Sequence, residues 1–191
     1  HYIPRMEWVE AGKIMVQQLD RKQQVSKLFY ADSKTGSATK IYEESDPNAW
    51  VDVRITWHED QPAGWEWIKG GNEFLWVTEK DGWNHVYKIS KDGKNETLVT
   101  KGNYDVVDPL GYDQEADLLY YTASPSDSRQ LYLYKISVKT PGEAVRISPM
   151  NQEGSHSYTL SDNFKYAQHR FSNYYTPNST EWITLPDHKP L

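Results

Sequence analysis

Trp65-Glu66-Trp67-Ile68, the turn Lys69-Gly70-Gly71-Asn72, the run Glu73 to Glu79, the run Trp83 to Ser90, the turn Lys91-Asp92-Gly93 and the run Glu96 to Thr100 follow one another without a break worth a helix. Each run is short, rich in Trp, Tyr, Phe, Val and Ile, and bounded by Gly, Asp or Asn. That combination reads as four strands joined by tight turns. At Asp81-Gly82 a glycine tolerates positive φ, so the second and third strands can pair as a hairpin.

The same grammar recurs on both sides. Upstream, Met6 to Val9 leads through Ala11-Gly12 to Lys13–Leu19, then Lys27–Ala31, the turn Asp32 to Gly36, and Thr39–Glu43. Downstream, Val106–Tyr112 is followed by a turn at Gln114 to Asp117, then Leu118–Ser124, Gln130–Ser137 and Ala144–Ser148. A last unit shows Tyr158–Leu160, a turn at Ser161-Asp162-Asn163, Phe164–Phe171 and Thr180–Leu185. Tyr30, Tyr87 and Tyr134 each fall in the third strand of a unit, at intervals of 57 and 47 residues. Four short strands per repeat of this length is the signature of a propeller blade.

The fold class expected is therefore all-β: a partial β-propeller of about four blades, each a four-stranded antiparallel sheet. The blades fall at about residues 3–44, 64–101, 105–149 and 156–186 of a single 1–191 domain. Regular short strands also fit a β-sandwich, but an internal alignment that persists over several units favours the propeller. The longer first interval is taken up by the connection from Ser45 to Gly64, which carries Pro47 and Pro62.

Composition agrees. The 191 residues carry 21 Lys plus Arg against 27 Asp plus Glu, a net charge of −6, which excludes a general nucleic-acid binder with its basic face. The mean hydropathy is strongly negative, as in disordered chains, yet 8 Trp and 14 Tyr argue against disorder. Short strands with one polar and one aromatic face reconcile the two. With no Cys, there is no disulfide, thiol nucleophile or thiolate-bound metal. No run approaches the ~18 apolar residues of a membrane span. No charged-then-apolar leader opens the sequence, which suggests a mature or trimmed product.

The six histidines show no metal-ligand spacing: His156 and His169 are far apart along the chain, and no His-x-x-x-His is present. No metal and no cofactor are expected. His85, between Trp83 and Tyr87, reads as a structural hydrogen-bonding residue, with Glu79 across the turn as a partner within reach. His58-Glu59-Asp60 reads as a charged loop.

Three stretches resemble the propeller of the dipeptidyl-peptidase IV branch of the prolyl oligopeptidase family of serine peptidases. In Gln17 to Gln24, Leu19, Arg21 and Gln23 match the family run, while Asp20 and Gln24 stand where the family has asparagine. Thr78-Glu79-Lys80-Asp81-Gly82-Trp83-Asn84-His85-Val86-Tyr87 is similar to its Ser-Glu-x-Asp-Gly-Trp-x-His-Leu-Tyr signature. Thr100-Lys101-Gly102-Asn103-Tyr104-Asp105-Val106 is similar to its Thr-x-Gly-x-Trp-x-Val segment. The likeness spans almost the whole chain in order.

The resemblance implies an eight-bladed propeller followed by an α/β-hydrolase domain, of which these units are the second half. The first half of the propeller and the catalytic domain are then the missing partners. The parent would be a serine-type dipeptidyl peptidase acting on peptide substrates, often after proline. This piece would gate and line the substrate pocket without cleaving. A serine elbow of the Gly-x-Ser-x-Gly type is lacking: Gly154-Ser155-His156-Ser157 has no second glycine and reads as a polar loop between blades. No catalytic residue is assigned. The family reads the substrate amine with two glutamates that lie before this piece, so Glu43-Glu44 is set aside as a solvated edge.

The connection after Trp50-Val51 is the functional lead, because loops carry function more often than strands do. The family places an arginine and an aromatic residue there, bordering the extended substrate pocket. That assigns Arg54 and Trp57 as substrate-binding residues, although Arg54 falls one residue short of the family position. An excised arc exposes apolar blade faces, so homodimerisation, strand swapping or marginal stability is expected. Relatives in bacteria suggest a periplasmic or otherwise exported protein. A different class remains open: a stand-alone propeller-like module binding peptide or glycan on its aromatic surface. A non-catalytic relative of the peptidases is a third.

Overall fold

The computed structural model describes residues 1–53 and 65–191. Among them the one helical element is a single 3-10 turn at Lys69–Gly71. The rest of the regular structure is sixteen strands. They fall into two compact units, His1–Leu98 and Val99–Leu191. Each unit holds two four-stranded antiparallel sheets whose strands pair in chain order.

In the first unit, β1 (Tyr2–Glu10), β2 (Lys13–Leu19), β3 (Val25–Asp32) and β4 (Ala38–Ser45) form one sheet. Next come β5 (Trp65–Ile68), β6 (Glu73–Thr78), β7 (His85–Ser90) and β8 (Glu96–Leu98). Period-two alternation decides what faces inward. Met15 on β2 and Leu28 on β3 are buried and pack against Trp65, Phe74, Trp76, Tyr87 and Ile89 of the neighbouring sheet. Each such side chain contributes about 1.5–3 kcal/mol on burial.

Polar pins cross the same seam. The Tyr30 hydroxyl donates to the Lys91 carbonyl at 2.9 Å, and Trp65 Nε1 donates to Glu7 at 2.6 Å. The turn at Gly93 approaches so closely that a Cβ there would sit 1.8 Å from the Ile41 carbonyl oxygen. Only glycine fits this place, and its φ of 72° lies in the left-handed region. Gly82 takes a φ of 93° in the β6–β7 turn, as the hairpin reading requires.

In the second unit, β9 (Val106–Asp113), β10 (Leu118–Ala123), β11 (Tyr132–Ser137) and β12 (Val145–Arg146) form one sheet. The other contains β13 (Ser155–Leu160), β14 (Tyr166–Ser172), β15 (Ser179–Thr184) and β16 (Lys189–Pro190). Tyr120 and Leu133 of the first sheet, with Ile147 just after β12, cluster with Tyr158, Ala167 and Ile183 of the second and with Leu185 just after β15. Phe164 stacks on Tyr120 at 5.8 Å, and a parallel bridge joins Leu131 to Ser155. The sequence shows three strands of the last sheet. The fourth, β16, is two residues long and has no alternation to read.

Candidate functional site

Arg54 and Trp57, and with them His58-Glu59-Asp60, lie outside the described residues. What is described is the root of that connection. Asp20 accepts from the backbone of Gln24 at 2.8 Å and of Val25 at 3.0 Å, which shapes the β2–β3 turn. That turn receives the chain leaving β4: Asp46 N donates to the Gln24 carbonyl at 3.0 Å, and Val51 N to the Gln23 carbonyl at 2.7 Å. The Leu19-Arg21-Gln23 run and the Trp50-Val51 pair are thus one construction. Val51 is buried and Trp50 is exposed.

Beside this root sits a buried cation. Arg5 on β1 donates through Nε to Gln17, whose amide nitrogen donates to Ser26 at 2.8 Å. Its guanidinium lies 5.4 Å from the Trp65 ring centroid and 5.3 Å from that of Trp76. The two indoles are themselves stacked at 6.1 Å. Burial pushes Arg5 down to about 10, against the opposing fields of Glu44 and Asp52.

Glu44 corrects one expectation. Read as a solvated edge with Glu43, it is instead buried and accepts from Trp76 Nε1 at 3.1 Å. Burial raises its pKa above the ordinary carboxylate value, opposed by hydrogen bonds from Trp76 and Thr78. Glu43 is at the surface, paired with Lys40 at 2.6 Å. Successive residues of a strand point to opposite faces, so these two carboxylates do not close on a single amine.

The Asp81-Gly82 signature resolves into a turn clasp. His85 is buried, and its Nδ1 lies 2.8 Å from Asp81 Oδ2. Burial would raise the Asp81 pKa, but hydrogen bonds from His85 and Tyr87 outweigh it and hold the carboxylate low. Lys80 lies 4.0 Å over the Tyr87 ring and pairs with Glu96 at 2.5 Å. These contacts build the blade.

The second unit holds a constellation that spacing along the chain did not suggest. Strand pairing sets Tyr158 opposite His169 and His169 opposite Glu181, a row across three strands. His156 Nδ1 lies 2.8 Å from His169 Nε2, and His169 Nδ1 lies 2.9 Å from Glu181 Oε1. His156 Nε2 faces the Gln152 carbonyl at 3.1 Å. The Tyr158 hydroxyl is 3.0 Å from His188 Nε2 and 2.8 Å from Ser148 Oγ. Burial pushes the His156 pKa down to about 4 and lowers that of His188. The signal was available: register counted back from the Ser161-Asp162-Asn163 turn places His156 and His169 on adjoining strands. Of Gly154-Ser155-His156-Ser157, expected as a loop, the last three residues open β13 and Gly154 precedes it.

Consecutive four-stranded antiparallel meanders of this kind define a partial β-propeller. Residues 1–178 match the family described as the dipeptidyl peptidase IV (DPP IV) N-terminal region, and the chain belongs to that family. Dipeptidyl peptidase 4 of Porphyromonas gingivalis superposes with a TM-score of 0.79 at 26% identity, over 100% of this chain and 25% of that one. Dipeptidyl aminopeptidase B of Saccharomyces cerevisiae is 21% identical over 168 residues, 86% of this chain and 20% of its own. Dipeptidyl peptidase 4 of Trichophyton rubrum is 24% identical over 194 residues, 99% of this chain and 24% of its own. The chain thus spans about a fifth to a quarter of the length of these relatives.

Proposed function

We propose that this chain is the second half of the propeller of a dipeptidyl-peptidase-IV-like serine exopeptidase, gating and lining the substrate pocket while a separate α/β-hydrolase domain breaks the bond. The observation that carries this reading is the family match over residues 1–178, in a chain covering only about a quarter of its relatives. The residues proposed to border the pocket are Arg54 and Trp57. They follow the Trp50-Val51 root, whose anchoring on Gln23 and Gln24 gives the connection a fixed point of departure. An arginine there suits a peptide carbonyl or carboxylate, and an indole suits an apolar side chain. The missing propeller half, the hydrolase domain, a homodimer partner and an exported location belong to the same proposal.

The test is an assay of the full-length product of the gene with a chromogenic Xaa-Pro dipeptide reporter. Release of the dipeptide, abolished by a serine-directed phosphonylating reagent, supports the reading. Absence of release from a folded full-length protein overturns it. Arg54→Ala in that protein is expected to lower kcat/KM for longer peptides more than for the reporter. An unchanged kcat/KM across peptide lengths sinks the role of Arg54.

The alternative, a peptide- or glycan-binding module, is favoured by one feature. Tyr174 and Tyr175 are 94% and 89% exposed and meet edge to face at 5.0 Å. A gene that ends near Leu191 favours that reading.

A further inference from the structure

We propose that His169, Glu181 and His188 form a binding site for one divalent transition-metal ion of the zinc class. Each residue offers a ligand atom, and the three atoms lie within 4.8 Å of one another. Zinc holds nitrogen and oxygen ligands at about 2.0–2.2 Å in a tetrahedron, so bound ligand atoms stand roughly 3.4 Å apart. Binding therefore requires the partly exposed Glu181 and His188 to adjust around the buried His169 ring. Two imidazoles and one carboxylate suit zinc, nickel or copper, not calcium or magnesium, which take oxygen ligands.

The hydrogen-bond inventory supplies the second reason. The Gln152 carbonyl can only accept, so His156 carries its proton on Nε2 and presents a lone pair at Nδ1. His169 must then donate from Nε2. Neutral His169 is left with a lone pair on Nδ1, which faces the carboxylate oxygen of Glu181, a second acceptor. Two lone pairs 2.9 Å apart need a cation between or beside them. A metal ion beside both atoms supplies it.

The surroundings suit the metal. A metal-bound histidine usually donates its other ring N–H to a fixed acceptor, which sets its tautomer and orientation. His156 plays that part for His169 and is itself fixed by Gln152. Tyr158 stacks on the His169 ring at 4.7 Å, and His188 meets it edge-on at 4.7 Å. His169 is 1% exposed at its side chain, whereas Glu181 is 41% exposed, so the site is rigid on one side and open to solvent on the other. Three protein ligands with an open fourth position leave room for water. The three ligands come from β14, β15 and the turn before β16, so the ion would clip the two-residue β16 to the sheet.

The site stands independently of the peptidase reading, and its test reads metal rather than activity. The full-length protein is stripped with a chelator, dialysed and titrated with zinc sulfate by calorimetry. One equivalent is expected to bind with micromolar or tighter Kd and to raise Tm. Glu181→Gln and His188→Ala, both at partly exposed positions, are expected to weaken that equivalent at least about tenfold, the size that even an outer partner commands. X-ray absorption of the zinc-loaded wild type gives a reading that does not depend on variants folding, with two imidazoles and oxygen ligands expected. No uptake by the wild type, equal uptake by both folded variants, or a ligand set without imidazole each overturns the site.

Discussion

Glu44 of β4 accepts a hydrogen bond from the indole nitrogen of Trp76 on β6 at 3.1 Å, joining the two sheets of the first unit through a buried carboxylate. The bond explains how a charged side chain is kept in an aromatic seam: the acceptor satisfies a buried N–H that has to be paired. The charge itself is costly there, and the raised pKa records that cost.

This gives the first prediction. The folded-state pKa of Glu44 lies above its unfolded value, near 4.3 for an ordinary glutamate, so the native state holds the proton more tightly. The group's stabilisation is then present in full below the unfolded pKa. It is lost as pH rises through the folded one. The groups facing it are Trp76, Thr78, Lys80 and Arg5. Glu44→Gln keeps an acceptor for Trp76 and removes the titration. Urea unfolding between about pH 4 and pH 8 is expected to show the variant gaining on the parent as pH rises. Parallel profiles would show that Glu44 does not titrate differently on folding. Glu44→Ala, which strands the indole N–H, is expected to cost about 1–3 kcal/mol.

Gly93 carries the second. A methyl group there meets the Ile41 carbonyl at 1.8 Å, and backbone is the least yielding neighbour. Gly93→Ala is expected to cost more than the roughly 1–3 kcal/mol of a left-handed non-glycine residue alone. Gly70→Ala is the control, since it shares the positive φ, at 64°, but has nothing within 4 Å. Its cost isolates the backbone term. Equal losses in the two variants, measured by chemical unfolding, would mean that β4 gives way at no expense.

How far these features were legible depends on the range of the interaction. Strands are set by neighbours in sequence, so short aromatic and β-branched runs such as Glu73–Thr78, bounded by turn residues, revealed them, and the glycine turns at Gly82 and Gly93 marked the hairpins. The start of β7 was less clear. Asp81 accepts from Trp83 N at 3.3 Å and clasps the His85 ring, prolonging the turn, so the strand begins at His85 and not at Trp83. Glu44 looked like a surface residue because its partner Trp76 is 32 residues away. The histidine row was hidden for the same reason: His169 meets Glu181 and His156 only through cross-strand register. Arg54 and Trp57 rest on resemblance alone, in a connection whose alternation carries no strand signal.

Arg5 carries the third prediction. Its guanidinium is planar and weakly hydrated, which is why it can lie over Trp65 and Trp76 at once while Nε holds Gln17. An ammonium is compact and strongly hydrated, so Arg5→Lys is expected to lose about 1–3 kcal/mol and to change the fluorescence of the paired indoles. Arg5→Met keeps the apolar stem but leaves Glu44 buried with Lys80 as the one remaining cation acting on it, and a comparable loss is expected. Among the described residues Arg5 Nη1 has no hydrogen-bond partner, and the field of Glu44 acts on the guanidinium, which makes charge balance with Glu44 the reading to test. If so, the double variant Arg5→Met, Glu44→Gln removes both charges and recovers part of the loss. A double-mutant cycle by urea unfolding is expected to give a coupling of about 0.5–3 kcal/mol, the range for residues sharing one electrostatic site. Strict additivity would show that Arg5 is retained for its stacking on Trp65 and Trp76 and not for its charge.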